Sequence, residues 1–329
     1  MTTNVIVVGG GYGGITVAKA LDDVARVTLI EPKATFVHNV AALRAVIDPA
    51  WAEKIFLPYG GMLVNGVVRR DRAVRVTERT VELESGESLN ADYVVLATGS
   101  SYPFPAKTAQ EGPAHFRQLH GELAAAATVL LIGAGPVGLE FAGEIKAAWP
   151  EKHVIVVDRG TELMPGDYPD EFRRQLREQI DELGIDLRLG TTANGVAADL
   201  TLVCHGASVD RSYLAGSGDR IEVTPELRVR GSATLFAIGD VTALPEQKMA
   251  RLAQMHAGVV AANIRSLIAG GEAEHTYAPQ PDAIVLPLGP KGGVTYAPEV
   301  GVLGAAESAA IKDGFYLDQY RELLGAMDT

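Results

Sequence analysis

Two stretches of the chain carry the same hydropathy pattern. Asn4-Val5-Ile6-Val7-Val8 is an apolar run of strand length, broken by Gly9-Gly10-Gly11-Tyr12-Gly13-Gly14. An apolar-periodic run follows to Leu21, and Arg26-Val27-Thr28-Leu29-Ile30-Glu31 is a second apolar run ending in an acid. The pattern returns with Val129-Leu130-Leu131-Ile132, then Gly133-Ala134-Gly135-Pro136-Val137-Gly138, a helical run to about Ala148, and Val154-Ile155-Val156-Val157-Asp158. Each predicts strand, glycine-rich turn, helix and strand, the order of a parallel βαβ unit.

Between the two units, residues 66–97 are rich in valine, arginine and threonine, with a turn at Glu84-Ser85-Gly86-Glu87. They predict a small antiparallel sheet closing on Tyr93-Val94-Val95-Leu96-Ala97-Thr98-Gly99, after which Pro103 and Pro105 mark a crossover. Beyond the second unit the pattern predicts a helix over 171–183, short strands over 185–189 and 200–204, and a buried strand at 235–238. A helix from about Lys248 to Ile268 follows, and residues 283–320 have β character with a brief terminal helix.

Composition narrows the classes. With 41 acidic against 29 basic residues and no lysine or arginine cluster, the chain is not built to displace counterions from nucleic acid. The same balance disfavours adhesion to anionic lipid, although a local patch for peripheral contact stays open. A single cysteine, Cys204, leaves no internal disulfide, no CxxC redox pair and no cysteine zinc site, and no metal site is expected. No apolar run reaches transmembrane length, and no basic leader or Met-Gly start precedes the first strand, so a soluble, cytoplasmic protein is expected.

The glycine runs carry the chemistry. Gly9-x-Gly11-x-x-Gly14 turns tightly, lets the backbone approach a pyrophosphate, and packs its helix against the strand. The helix N-terminus then offers unpaired N–H groups to phosphate. Tyr12 and Gly13 lie within the same turn, and Glu31 is placed to accept ribose hydroxyls. Gly133-x-Gly135-x-x-Gly138 with Asp158 repeats the arrangement. The Asp158 carboxylate favours a free 2′-hydroxyl, hence NADH; Arg159 beside it can turn toward a 2′-phosphate, which leaves NADPH open.

Ala233-Thr234-Leu235-Phe236-Ala237-Ile238-Gly239-Asp240 resembles the second flavin fingerprint of the two-dinucleotide-binding flavoproteins, and Val95–Gly99 resembles their domain-exit motif. The resemblance implies an α/β fold of two Rossmann-like domains with a small C-terminal α+β cap. Residues 1–109 and 232–275 would form a discontinuous FAD-binding domain, 110–231 an NAD(P)H-binding domain, and 276–329 the cap. Gly239 and Asp240 would then be flavin ligands, with Gly99 beside them.

A narrower likeness follows. The run His38-Asn39-Val40-Ala41-Ala42-Leu43-Arg44-Ala45 resembles the ferroptosis suppressor and apoptosis-inducing-factor-like family of FAD-dependent, NAD(P)H-dependent quinone oxidoreductases. So do Glu144-Ile145-Lys146, Trp149-Pro150-Glu151-Lys152, Lys248-Met249-Ala250 and Leu252-Ala253 with His256-Ala257. It implies FAD contacts at Arg44, near Arg72, and around Lys248 and Met249, where a helix would aim its positive end at the flavin. It also implies that Glu140 helps to place nicotinamide and that Lys312 lies near the flavin. From the residues alone, the alternatives are a first-turn glutamate favoured by the helix dipole for Glu140 and a solvated hairpin lysine for Lys312. His38 and His256 match family histidines. Two departures stand out: only Gly190 to Asp199 joins the strands where the family has a longer stretch, and the myristoylated start is missing.

The expected activity is hydride transfer from NADH to FAD and on to a quinone, without an active-site disulfide, the acceptor docking near Leu286, Tyr296 and Lys312. An NADH-dependent ferredoxin or rubredoxin reductase, a tailoring oxidoreductase of a quinonoid metabolite, and an NADH-sensing flavoprotein stand as alternatives. The oligomeric state is left open.

Overall fold

A computed structural model describes residues 2–216 and 218–327. Each glycine-centred segment forms the middle of a parallel sheet. Strand Asn4–Val8 lies between Arg26–Ile30 and Tyr93–Leu96. Leu235–Ala237 flanks Tyr93–Leu96 and Val67–Arg69 flanks Arg26–Ile30, giving five parallel strands. Strand Thr128–Ile132 lies between His153–Val157 and Leu200–Val203, with Asp186–Arg188 outermost beside His153–Val157. Such near-continuous β-branched runs suit strands covered on both faces, and Val5, Val7, Val27, Val129 and Val154 are fully buried.

The antiparallel sheet expected across 66–97 is smaller than the pattern suggests. Only Ala73–Val76, Thr80–Leu83 and Ser88–Asn90 form it; Val67–Arg69 and Tyr93–Leu96 pair in parallel with the main sheet. The break falls at Arg70-Asp71-Arg72, whose polar run cannot continue a buried strand. The long helix runs over Ala250–Ile268, so Lys248 precedes it and Met249, with extended backbone, is its N-cap. Among the described residues the helices Ala42–Ile47, Pro49–Lys54, Ala114–Ala125 and Ala305–Ile311 were not foreseen. Helix Pro49–Lys54 starts because Asp48 Oδ1 accepts from the Ala50 N–H at 2.9 Å with Pro49 in the first turn.

Two large cores divide the chain. The first surrounds Val7, Leu29, Val95 and Phe236; the second surrounds Phe116, Leu131, Phe141 and Phe172. The described residues of 208–231, expected with the second unit, pack on the first. Tyr213, Ile221, Val223 and Leu227 lie in the first core, the Val76 N–H donates to the Tyr213 carbonyl at 2.7 Å, and Arg228 bridges to Phe236. The C-terminal segment forms an antiparallel sheet of Ile284–Pro287, Gly293–Ala297 and Gly301–Leu303, then helices Ala305–Ile311 and Leu317–Leu324. The second helix docks on the first core through Leu317, Tyr320 and Leu324. The outer ends of the expected first and last domains, residue 1 and residues 328–329, lie outside the described residues.

Candidate functional site

A cavity of about 1400 Å³ opens where the first sheet, the helix after the second glycine turn and the C-terminal segment meet. Its floor is the first glycine turn. Gly9 has φ +104, and a Cβ on Gly14 would stand 1.8 Å from the Gly9 carbonyl oxygen, so helix and turn touch through hydrogen only. The helix Tyr12–Leu21 has Gly11 as N-cap with no side-chain cap, which leaves its first N–H groups for a ligand. Glu31, 6% exposed, accepts from the Gly10 N–H at 2.7 Å and from the Lys33 N–H at 3.0 Å, fixing the turn.

The second turn repeats this geometry. Gly133 has φ +116, a Cβ on Gly138 would meet the Gly133 carbonyl at 1.9 Å, and Gly135 caps the helix Pro136–Ala148 without a side-chain bond. Asp158 accepts from the Ala134 N–H and the Gly160 N–H, both at 2.7 Å. Gly133, Gly135, Gly138 and Asp158 do not line the main cavity; from this turn only Pro136, Val137 and Glu140 reach its wall.

Of the other expected residues, Gly9, Gly11, Tyr12, Gly13, Glu31, Arg72, Gly99, Gly239, Asp240, Lys248, Met249, Glu140 and Lys312 all line the cavity. Gly14 lies just behind it. Arg44 differs: its guanidinium forms a two-pronged pair with Glu144 at 2.5 and 2.7 Å and stacks over Phe315 at 5.1 Å, off the cavity wall. Nothing in the sequence run around Arg44 named that partner, which lies one helical turn beyond Glu140. Lys312 is not a hairpin residue. It ends the helix Ala305–Ile311, and its ammonium meets Glu140 Oε2 at 3.1 Å. Both side chains are mostly buried, at 14% and 11% exposure. Burial pushes the Glu140 carboxyl upward and Glu144 adds to this, while Lys312 and Arg44 oppose it.

Asp240 is held by residues that sequence reasoning missed. Its Oδ2 accepts from the Ser100 hydroxyl at 2.5 Å and the Lys107 ammonium at 3.2 Å, and Arg220 donates to its carbonyl. Burial works against the carboxylate, but Lys107 and Ser100 outweigh it and the Asp240 pKa is lowered. Lys107 follows the crossover prolines, a signal that marks a loop and not its destination. Tyr59, also missed, donates to the Gly10 carbonyl at 2.8 Å.

Beside the first turn, the Tyr12 hydroxyl accepts from the Val40 N–H at 3.0 Å and reaches His38 Nδ1 at 3.2 Å, and burial pushes its pKa up. His38 Nε2 donates to the Phe315 carbonyl at 2.8 Å. Burial lowers the His38 pKa to about 4, so the ring is neutral at ordinary pH. Phe315 and Tyr316 are themselves held at positive φ, 52° and 60°. Cys204 is buried away from the cavity, and burial alone raises its thiol to about 12.

Asn39 Oδ1, at the cavity wall, is buried with no partner among the described residues. An orphaned buried acceptor, two uncapped helix starts and glycine turns with no room for a Cβ fit a bound dinucleotide. Residues 3–259 match the family model described as Pyridine nucleotide-disulphide oxidoreductase. The chain belongs to that family.

Its curated relatives include Ferroptosis suppressor protein 1 of Xenopus tropicalis, 30% identical over 89% of this chain and 88% of the relative. Apoptosis-inducing factor homolog B of Dictyostelium discoideum is 29% identical over 96% and 95%. The fold matches that of a sulfide:quinone oxidoreductase from Aquifex aeolicus with TM-score 0.79 and 20% identity, covering 99% of this chain and 92% of that one. NDH2 from Plasmodium falciparum, solved with NADH, matches equally, at 12% identity over 97% and 95%. The resemblance read from His38–Ala45 and the later runs therefore holds, as does the α/β fold of the two-dinucleotide-binding flavoproteins. As a pyridine nucleotide-disulphide oxidoreductase family member it is an FAD-dependent NAD(P)H oxidoreductase. Among the described residues no helix is long and apolar enough to cross a membrane.

Proposed function

We propose that the chain passes reducing equivalents from NADH through FAD to a quinone, with no active-site disulfide between flavin and acceptor. The observation that carries this reading is the Glu140–Lys312 pair, an acid from the second glycine-turn helix and a base from the C-terminal segment facing one cavity with the first glycine turn. Bound FAD supplies hydride acceptance from a nicotinamide and two-electron donation onward. The protein fixes geometry and charge. The first glycine turn, Glu31 and Tyr59 would seat the adenosine and pyrophosphate end, and Asp240, kept ionised by Lys107 and Ser100, would take the ribityl hydroxyls. Lys248 and Met249 line the cavity at the start of helix Ala250–Ile268, whose positive end would favour negative charge on a bound flavin. Arg72 lines the same cavity, whereas Arg44 would act through Glu144 by holding the helix that carries Glu140.

Asp158, at the second turn, favours the free 2′-hydroxyl of NADH. The Glu140 carboxylate would accept from the nicotinamide carboxamide, and Lys312 Nζ would give a proton to an acceptor oxygen. A quinone is favoured because the sulfide:quinone oxidoreductase shares the fold over nearly the whole chain, and because Leu286, Tyr296 and Tyr316 give the cavity an apolar and aromatic side. The only cysteine, buried and with its thiol held protonated, does not offer the electrons another route. Residues 1–109 and 208–275 would hold FAD, 110–207 NADH, and 276–329 the acceptor side, in a cytoplasmic protein meeting its quinone in solution or at a membrane surface.

The test is anaerobic. NADH is titrated into the flavin-loaded protein, and a quinone is then added. Bleaching of the flavin band at about one equivalent, followed by reoxidation on quinone addition, is expected. Reoxidation by a ferredoxin or rubredoxin and not by any quinone would overturn the acceptor, and a band that persists under excess NADH would favour the sensing reading.

A further inference from the structure

Away from the catalytic pair lies a second buried polar cluster that the proposed chemistry does not use. The Gly239 N–H donates to His256 Nδ1 at 3.0 Å, so that nitrogen carries no proton and Nε2 does. Nε2 in turn donates to Glu246 Oε1 at 2.8 Å, with both side chains 1% exposed. Glu246 Oε2 accepts from the Tyr277 hydroxyl at 2.6 Å and from the Gln280 N–H at 3.0 Å. One carboxylate thus joins the turn that presents Asp240 to the extended segment that brings Gln280 and Pro281 to the cavity wall. Three donors satisfy it, as a buried ionised group requires.

We propose that Glu246 is a positioning residue that sets two walls of the cavity at once: the Gly239–Asp240 peptide against the flavin, through His256, and the Gln280 segment against the electron acceptor. The acceptor half rests on the quinone reading above; the flavin half does not. A neutral amide in place of the carboxylate cannot serve all three donors, because its own N–H₂ must face one of them. The Gly239 peptide or the Gln280 segment is then released.

The experiment compares Glu246→Gln with Tyr277→Phe in the full chain, purified with FAD. Flavin dissociation is read from FAD fluorescence on dilution, and KM and kcat are read with NADH and a short-chain quinone. Glu246→Gln is expected to weaken FAD binding about tenfold and to raise the quinone KM several-fold, with kcat within about twofold. Tyr277→Phe keeps the ring that packs edge-on against His256 and removes only the hydroxyl that binds Glu246 Oε2; it is expected to raise the quinone KM about threefold and to leave the FAD dissociation constant within about twofold of wild type. A residue that merely stabilises the fold would lower the melting temperature and leave both constants unchanged in the folded fraction; that result overturns the proposal. So does a Tyr277→Phe variant that loses FAD as readily as Glu246→Gln. If wild type reduces no quinone, the acceptor reading fails, and the FAD dissociation constants alone still decide the flavin half.

Discussion

Replacing Lys312 by methionine keeps the aliphatic stem and removes the charge that faces Glu140. The pair sits in a cavity wall with both side chains under one-fifth exposed, and the Lys312 ammonium makes no other hydrogen bond among the described residues. Breaking a fully buried pair costs about 3–5 kcal/mol. Here water reaches the cavity and Arg44 still acts on Glu140, so about 2 kcal/mol is the expected loss at alkaline pH. The pH dependence follows from the sign of the shift. Burial already raises the folded-state pKa of Glu140, so the folded protein binds a proton more readily than the unfolded chain. An upward shift leaves stability intact below the unfolded value and withdraws it as pH rises through the folded one. Losing Lys312 raises that folded value further, so the variant falls behind wild type by more as pH rises. Thermal melting of the FAD-bound proteins should show Lys312→Met nearly level with wild type near pH 5 and lower by about 4 °C near pH 8.5. Adding Glu140→Gln should restore most of the loss, because removing both partners leaves no uncompensated charge. An equal deficit at both pH values, or a double variant less stable than the single one, would refute the reasoning.

Gly138→Ala drives a methyl into the Gly133 carbonyl, since its Cβ would lie at 1.9 Å, so NADH binding by isothermal titration should be abolished while FAD stays bound. Lys107→Met removes a cation from Asp240 and should weaken FAD retention about tenfold on gel filtration. His38, with a folded pKa of about 4 against an ordinary 6.5, contributes stability present above 6.5 that is lost as pH falls toward 4. Its ring proton resonance should therefore show no titration between pH 5.5 and 8, and melting temperature should drop steeply below pH 6.

Both glycine turns could be read from the chain because strand, turn and helix are contiguous and the φ they need is one that only glycine adopts without strain. Glu31 and Asp158 were likewise legible, each closing the strand after its own helix. What stayed hidden depends on contacts across long separations. Lys107 reaches Asp240 over 133 residues and Arg44 reaches Glu144 over 100, and no local pattern encodes either meeting. Among the described residues of 208–231 the buried apolar side chains, Tyr213, Ile221, Val223 and Leu227, are scattered, so their allegiance to the first core has no periodic signature. The helix Ala114–Ala125 did leave one, Phe116, Leu119 and Leu123 at helical spacing, which its many polar residues obscured.

The position of Leu235–Ala237 in the first sheet bears on how the chain assembles as it is made. Tyr93–Leu96 leaves the ribosome with its outer hydrogen-bonding edge bare, and its neighbour is some 140 residues behind. At about 5–20 residues per second that edge waits roughly 7–28 seconds. The second sheet meanwhile has all four of its strands by Val203 and can close first. Nascent chains stalled before Leu235 should therefore be the ones that chaperones hold and that associate through an open strand, and a release just after Ile238 should end that vulnerability.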